Sequence, residues 1–262
     1  MAARAIWKGV IRFGGLDVPV KLYSGVEDRK VHFRLLHEPD LVPLQQRMVN
    51  PDTGDVVERD VVRKGYEPEP GTFVVLDADD QAEIEPTPSR DIEITRFVPP
   101  DRITPAWYER PYYLGPDGDG DAYFALARAL GDRDREGVAR WVMRKKRYIG
   151  ALRVEDGYLL LVTLRFAGEV VNPEQLPAPR GRDLSERELG MAEQLVSALE
   201  DEFRPGEYHD EYRERVLELV AAKAAGKKAP VVRLAPRREE PESLDRALAA
   251  SLERAKKERR SA

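Results

Sequence analysis

Residues 4–23, RAIWKGVIRFGGLDVPVKLY, alternate with a period of two on either side of a Gly-Gly pair. Successive side chains of a β-strand point to opposite faces. One face of the first half collects Ala5, Trp7, Gly9, Ile11 and Phe13. The other collects Arg4, Ile6, Lys8, Val10 and Arg12, so a cation recurs at every fourth residue. Gly14-Gly15 supplies a tight turn, because glycine accepts positive φ without strain. The return half puts Leu16, Val18, Val20 and Leu22 on one face and Lys21 on the other. A chain that opens this way must lay a sheet over an apolar core and turn spaced positive charge outward. Pro19 cannot donate to a ladder, which predicts an edge strand or a bulge there. Alternation by itself also describes an ordinary solvated sheet face.

The segments RAIWKGVIRFG and VPVKLYS resemble the opening of bacterial Ku, the DNA-end-binding protein of non-homologous end joining. Four later segments agree in order: Lys64-Gly65-Tyr66-Glu67, RPYYLGP from Arg110, YHDEYRE from Tyr208, and SLDRALAASL from Ser243. The resemblance implies an α+β fold. An antiparallel β-barrel core (1–175) would carry a long bridging hairpin arm (about 25–66). A helical arm (183–225), a flexible linker (226–241) and a C-terminal ligase-recruiting helix (242–262) would follow. It further implies a ring-shaped homodimer that threads double-stranded DNA ends and recruits an end-joining DNA ligase. It implies no catalysis and no cofactor.

Composition bounds these expectations. The chain has 262 residues, enough for one sizeable core with appendages, and 35% of them are charged. It lacks cysteine, which removes disulfides and thiolate metal sites. No apolar run approaches a membrane span and no signal-peptide core opens the chain, so a soluble cytoplasmic protein is expected; the resemblance implies a bacterial one associated with the nucleoid. The net charge is −5, which taken alone argues against a nucleic-acid partner. Its distribution is uneven. Residues 1–66 carry 11 Lys/Arg against 9 Asp/Glu, and residues 223–262 carry 12 against 6, which leaves 67–222 at −13. A DNA site would be a local basic surface on an acidic body. Such a surface still attracts phosphate, because screening limits distant charge to roughly 8 Å at physiological salt.

After a polar loop at 25–30, Val31–Leu36 alternates and predicts a strand. The segments 44–50 and 56–62 flank Pro51-Asp-Thr-Gly54 and predict a long hairpin. Its apolar pattern is thin, so it should need another surface to lie on. Pro68-Glu-Pro-Gly71 closes a further hairpin into 72–76. Asp77 caps a helix that ends before Pro86. Residues 91–98 predict a half-buried strand. Trp107, Tyr108, Tyr112 and Tyr113 read better as core than as base-stacking groups. The loop 117–121 mimics a calcium site, but its sixth and twelfth positions are Ala122 and Arg128 where an EF-hand needs Gly and Glu. Asp121 as the N-cap of a helix over 122–130 explains it more simply.

Residues 138–154 hold Arg140, Arg144, Lys145, Lys146, Arg147 and Arg153 and no acid. They predict a strand, a basic corner and a hairpin turning at Asp156-Gly157, with 159–164 deep in the core. Four adjacent cations repel one another, and a phosphate partner would relieve that. Beyond a linker at 177–182, Ser185-x-x-Glu188 is a capping box. Leu189, Ala192, Leu195, Val196, Leu199 and Phe203 then follow at helical spacing until Pro205-Gly206. A second helix carries Tyr212, Val216, Leu219 and Val220 and fades at Gly226. Near the end, Ser243 caps a short helix with Leu244, Leu248 and Leu252 in one stripe. Such a stripe suits helix-in-groove binding, and an isolated helix of this length is marginal.

Carried onto this sequence, the resemblance implies phosphate contacts by Lys8, Arg12 and Lys21 of the first hairpin. It adds Arg29, Lys30, Arg34, Arg47, Arg63 and Lys64 on or beside the arm, and Arg144, Lys145, Lys146 and Arg147 at the corner. Leu244, Leu248 and Leu252 would engage the ligase. The family's long lysine-rich tail is absent, with Lys256, Lys257, Arg259 and Arg260 as a remnant. No P-loop, dinucleotide fingerprint or nucleophile elbow occurs. His32 and His37, five apart, fall on opposite faces of the expected strand, which argues against a metal pair. Two other readings stand beside the end-binding one. The first is a β-barrel protein–protein adaptor with solubilising cations and no DNA affinity. The second is a carboxylate-dependent hydrolase.

Overall fold

The computed structural model describes residues 4–178, 181–226, 244, 247–249 and 251–253. The linker expected over 226–241 lies outside them apart from Gly226, as do the four cations of the tail remnant. The chain forms two units. One comprises residues up to Arg29 with Phe33–Gln175, the other Lys30–His32 with residues from Leu176 onward.

The first unit contains β1 (Trp7–Phe13), β2 (Leu16–Ser24), β3 (Lys64–Glu69), β4 (Thr72–Leu76), α1 (Ala78–Ile84), β5 (Asp91–Val98), β6 (Tyr108–Pro116), α2 (Asp121–Arg133), β7 (Glu136–Met143), β8 (Lys146–Glu155) and β9 (Tyr158–Leu164). Seven of these strands close a barrel in the order β1-β2-β6-β9-β8-β7-β5. Every pairing in it is antiparallel except β1 with β5. The two-residue turn at Gly14-Gly15 has φ of +52° and +83°, as a primed hairpin turn requires. Ile11, Val20, Leu22, Ile92, Leu114, Leu152, Leu159 and Leu161 are all fully buried. Each buried aliphatic side chain of this size contributes about 1.5–3 kcal/mol. Gly150 makes room for a ring. A Cβ there would lie 2.8 Å from the Trp141 ring, which stacks on Tyr148 with centroids 5.3 Å apart.

Helix α2 packs on the same core through Tyr123, Leu126, Ala127 and Leu130. The Tyr123 hydroxyl donates to the Leu114 carbonyl (2.6 Å) and accepts from the Leu159 amide (2.9 Å), joining β6 to β9. A buried carboxylate on β7, Glu136, accepts from the Tyr108 hydroxyl at 2.6 Å. Its Oε1 lies 3.2 Å from Arg153 Nη1, an ion pair without hydrogen-bond alignment. Burial, then Glu136, pushes the Tyr108 hydroxyl up to about 12.

The barrel corrects the reading of Pro19, which sits neither on an edge nor at a bulge. β2 lies between β1 and β6, and its register with β1 runs unbroken through Val10↔Pro19. The β2–β6 ladder begins at Val20↔Pro116, and the Pro19 carbonyl accepts from the Asp117 amide at 3.0 Å. The missing N–H therefore points past the end of β6, where no ladder donor is needed.

The segment between β2 and α1 departs most from expectation. Residues 31–36 form no strand; a single bridge joins Leu36 to Pro43. The long hairpin shrinks to a turn around 51–53 with one bridge, Val49↔Val56, and the 56–62 segment ends in a 3-10 turn at Arg59–Val61. Leu44, Met48, Val49, Val56 and Val61 are all exposed. A two-stranded ribbon with no face to bury holds only short pairing. β3 and β4 do form the second expected hairpin, also exposed, with a bulge between Tyr66 and Glu69. With no strand at 31–36, the face argument for His32 and His37 lapses; His37 Nδ1 instead lies 2.7 Å from Asp40 Oδ1.

Asp77 caps α1 through two backbone amides. Asp121 is the first residue of α2 rather than its cap, which is Gly120, and the helix runs on to Arg133. In the second unit α3 (Glu186–Leu199) starts at the expected Ser185–Glu188 box. It stops four residues short of Phe203, which is exposed. α4 (Glu211–Ala224) is capped by Ala225 and followed by Gly226 at φ +70°. Leu244, 247–249 and 251–253 are helical, with Leu244 exposed and Leu248 and Leu252 half-buried.

Candidate nucleic-acid interface

The outward parity of β1 carries Lys8, Val10 and Arg12, because Gly9 and Ile11 take the core side. Antiparallel register sets Lys8 opposite Lys21 and Arg12 opposite Asp17. Parallel register sets Arg12 beside Glu93 of β5, and β5 sets Glu93 opposite Arg140 of β7. Across the next rungs Arg140 faces Ile149, and Val142 faces Arg147. The first hairpin and the β7–β8 corner thus share one outer wall, with β5 between them. A groove of about 1050 Å³ on this wall is lined by Arg12, Asp17, Asp91, Glu93, Arg140 and Arg147, with Trp141 and Tyr148 at its apolar side.

Charge on the wall is partly compensated. Like charges directly opposite in a ladder repel, and Asp117, just past β6, answers the Lys8–Lys21 pair. Its carboxylate oxygens lie 2.9 Å from Lys8 Nζ and 2.9 Å from Lys21 Nζ. Hydrogen bonds from Lys21 and then Lys8 hold the Asp117 carboxyl below its usual range, and Asp117 raises Lys21 in return. Arg12 lies between Asp17 (3.3 Å) and Asp91 (3.0 Å). Lys145 reaches Glu85 at the end of α1 (2.9 Å). Among the described residues Arg140, Arg144, Lys146 and Arg147 form no ion pair. Positive charge is therefore least screened at the β7–β8 corner.

The corner is a two-residue turn, Arg144-Lys145, closed by the Met143↔Lys146 rung. A second groove of about 410 Å³ beside it is lined by Trp7, Pro86, Pro88, Ser89, Arg90, Val142, Arg144 and Lys145. Such an array, broad, shallow and basic at one end, suits a phosphate backbone. Backbone contacts position a protein on nucleic acid and carry little sequence information.

Lys8, Arg12, Lys21 and Arg147 are thus gathered on one barrel wall, with the turn residues Arg144 and Lys145 at its rim; Lys146, paired with the buried Met143, takes the opposite parity at the end of the barrel. The arm cations are not part of it. Arg47 lines a separate groove with Gln46, Met48, Val56, Val57, Glu58 and Arg59. Arg29 pairs with Glu27 (3.0 Å), Arg63 donates to the Asp60 carbonyl, and Lys64 donates to Gln81 (2.6 Å). Arg34 lies in the exposed segment after β2, and Lys30 falls in the second unit. Besides Asp17, Asp91 and Glu93, two further residues at this wall were missing from the expected set. Arg140 shares the outward parity of β7 and would have followed from counting back from the turn. Asp117, taken from sequence as part of a failed calcium loop, is the counter-ion of the first hairpin.

Residues 12–191 match the family described as the Ku70/Ku80 beta-barrel domain. The chain is 36% identical to the non-homologous end joining protein Ku 2 of Geotalea uraniireducens, over 98% of this chain and 99% of that relative. It is 35% identical to the non-homologous end joining protein Ku of Mycolicibacterium smegmatis, over 86% of this chain and 73% of the relative. The Mycobacterium tuberculosis protein of that name is 34% identical, over 94% and 92%.

Proposed function

The chain belongs to the Ku family, and from that premise we propose that it binds the ends of double-stranded DNA without regard to sequence, in non-homologous end joining. The observation that carries this reading is the convergence of two sequence-distant basic segments, 8–21 and 144–147, on one wall of the barrel and the rim beside it. Their side chains meet phosphate and sugar. A homodimer closes around the duplex, and backbone charge looks much alike from either strand, which suits a two-fold assembly.

Exposed apolar side chains support association between copies. Phe33, Leu35, Val49 and Phe73 project from the segment after β2, and Val196, Leu199, Phe203 and Tyr212 from the helical unit. The arm cations Arg29, Lys30, Arg34, Arg47, Arg63 and Lys64 complete the DNA channel in that assembly. Residues 1–175, 183–225, 226–241 and 242–262 act as core, helical arm, linker and ligase-recruiting helix, with Leu244, Leu248 and Leu252 as the contact stripe. The protein holds ends and presents them, and the ligase performs the chemistry. No described helix is long and apolar enough to cross a membrane.

The test is a mobility-shift titration with one duplex, presented as a blunt linear fragment and as its covalently closed circle. Binding confined to the linear form is expected. Equal binding to the circle would refute threading, and no binding to either form at physiological salt would favour the adaptor reading.

A further inference from the structure

Beyond the first hairpin, the wall formed by β2, β6 and β9 carries a second array that the basic interface does not use. Inward parity on these strands goes to Leu22, Tyr112, Leu114, Leu159 and Leu161, all buried. Outward parity goes to Lys21 and Tyr23 of β2, Tyr113 and Gly115 of β6, and Tyr158, Leu160 and Val162 of β9. Tyr112 therefore takes the core side, as expected from sequence, and Tyr113 does not. Register sets Tyr23 opposite Tyr113 and Tyr113 opposite Leu160, so Tyr158 lies diagonally across from Tyr113. The Tyr113 and Tyr158 rings meet edge to face with centroids 6.2 Å apart. Gly115 lets the Tyr23 ring lie against the sheet, since a Cβ there would sit 3.2 Å from Tyr23 Cε2.

Packing does not use up these rings. Tyr113 is 38% exposed and Tyr158 57%, while the aliphatic side chains of the same face, Leu160 and Val162, are buried. Cross-strand pairing accounts for Tyr23 and Tyr113. It does not account for Tyr158, whose direct partner on β8 is Glu155. Lys8 and Lys21 border the rings on one side, and Arg153, opposite Leu160, borders them on the other. Asp117 answers the two lysines, Glu136 answers Arg153, and Glu155 faces Tyr158, so the patch is close to neutral. Charge therefore does not make it a second site for a duplex backbone, and a duplex keeps its base faces stacked. A single strand offers those faces to aromatic side chains and needs only a few cations along its path. Continuity supplies the strand. Lys8 and Lys21 belong to the basic wall as well, so a tail leaving a duplex on that wall meets the tyrosines by crossing β1 and β2.

We propose that Tyr23, Tyr113 and Tyr158 form a stacking platform for the unpaired bases of a single-stranded overhang on the bound DNA end. The platform rests on the end-binding reading for the source of its strand. It adds a ligand class: tailed ends are held through their bases, and blunt ends are not.

The test is fluorescence anisotropy with four labelled probes: a blunt duplex, the same duplex with a tail of about ten thymidylates, that duplex with an abasic tail of equal length, and the free thymidylate strand. The thymidylate-tailed duplex should bind about tenfold more tightly than the blunt or abasic-tailed one, the scale of one stacked base. That gain should persist across a salt series, whereas a gain carried by phosphate would fade with a log–log slope of about 0.7 per contact. Y113V/Y158V keeps β-branched residues in both strands and should lose the gain while binding the blunt duplex as before. Y113F/Y158F should retain it. An abasic tail that binds as tightly as thymidylates overturns the platform on the wild-type chain alone, whether or not the valine variant folds. Loss of the gain in Y113F/Y158F would assign it to the hydroxyls and overturn stacking. Binding of the blunt duplex with no gain from a tail would overturn the platform and leave end binding intact. Binding of the free strand without the blunt duplex would remove the end-binding reading and leave the rings as a single-strand site, and no binding to any probe would remove both.

Discussion

Replacing Asp117 with asparagine should make the protein bind DNA more tightly, although the substitution adds no cation. In the free protein one carboxylate serves two lysines, each at 2.9 Å, so the Lys8–Lys21–Asp117 cluster carries a single net positive charge. The asparagine side chain would keep an acceptor oxygen, and the backbone N–H at this position would still reach the Pro19 carbonyl. The cluster would gain one positive charge. If the wall meets the phosphate backbone, that charge neutralises about one further phosphate per protomer and steepens the salt slope by about 0.9. Scaled to about 0.15 M salt, the same slope gives roughly fivefold tighter binding per protomer, and the two titrations should converge near 1 M. Fluorescence anisotropy on a blunt linear fragment across a salt series reads both quantities. An unchanged slope would show that Lys8 and Lys21 do not meet phosphate. A gain that persisted undiminished at high salt would point to a change of shape rather than of charge. In a K8Q/K21Q background D117N should lose its effect on affinity, which separates the local pairing from a general lowering of negative charge.

The barrel and the helical unit yield two further tests. G150A would set a Cβ 2.7 Å from the Val162 carbonyl and 2.8 Å from the Trp141 ring, which is itself stacked on Tyr148 and cannot retreat. Overpacking of this kind should remove about 3 kcal/mol, and an unaltered urea midpoint followed by tryptophan fluorescence would contradict the packing described. Glu188 at the start of α3 is held down to about 2 from an ordinary 4.5, first by Arg182 and then by the Ser185 amide and hydroxyl. Because the folded value is the lower one, its contribution is full above about 4.5 and is lost as pH falls toward 2. E188Q should flatten the acid limb of a helicity titration over that window, and an acid limb identical to wild type would show that the box does not hold the helix.

Much of the barrel was legible because its signals are local. Alternation in 7–13 and 16–24, the Gly-Gly and Asp-Gly turns and the apolar run 159–164 each fix an element within about ten residues. Elements whose order depends on a partner were not legible. Residues 31–36 alternate as a strand should, yet their apolar side chains meet no sheet, and alternation cannot say whether a ladder is waiting. Pro19 misled for the opposite reason: its fate depends on where β6 ends, nearly a hundred residues away. The site divides in the same way. The cations were identifiable as residues, but their counter-ions were not, since Asp117 lies 109 positions from Lys8 and Asp91 lies 79 from Arg12. Long-range pairing of this kind leaves no trace in a sequence window. Arg140 is the exception, since strand parity would have marked it.

The parallel seam between β1 and β5 bears on how the chain is made. β1 leaves the ribosome first, yet its second neighbour arrives some eighty residues later, and that neighbour's other flank, β7, later still. Throughout that interval the nascent hairpin holds Ile11, Val18, Val20 and Leu22 with nothing laid over them. Distant pairings form slowly, and a chain awaiting them is prone to aggregate. Expression yield should therefore respond to translation speed and to chaperone supply more strongly than the finished barrel's stability would suggest.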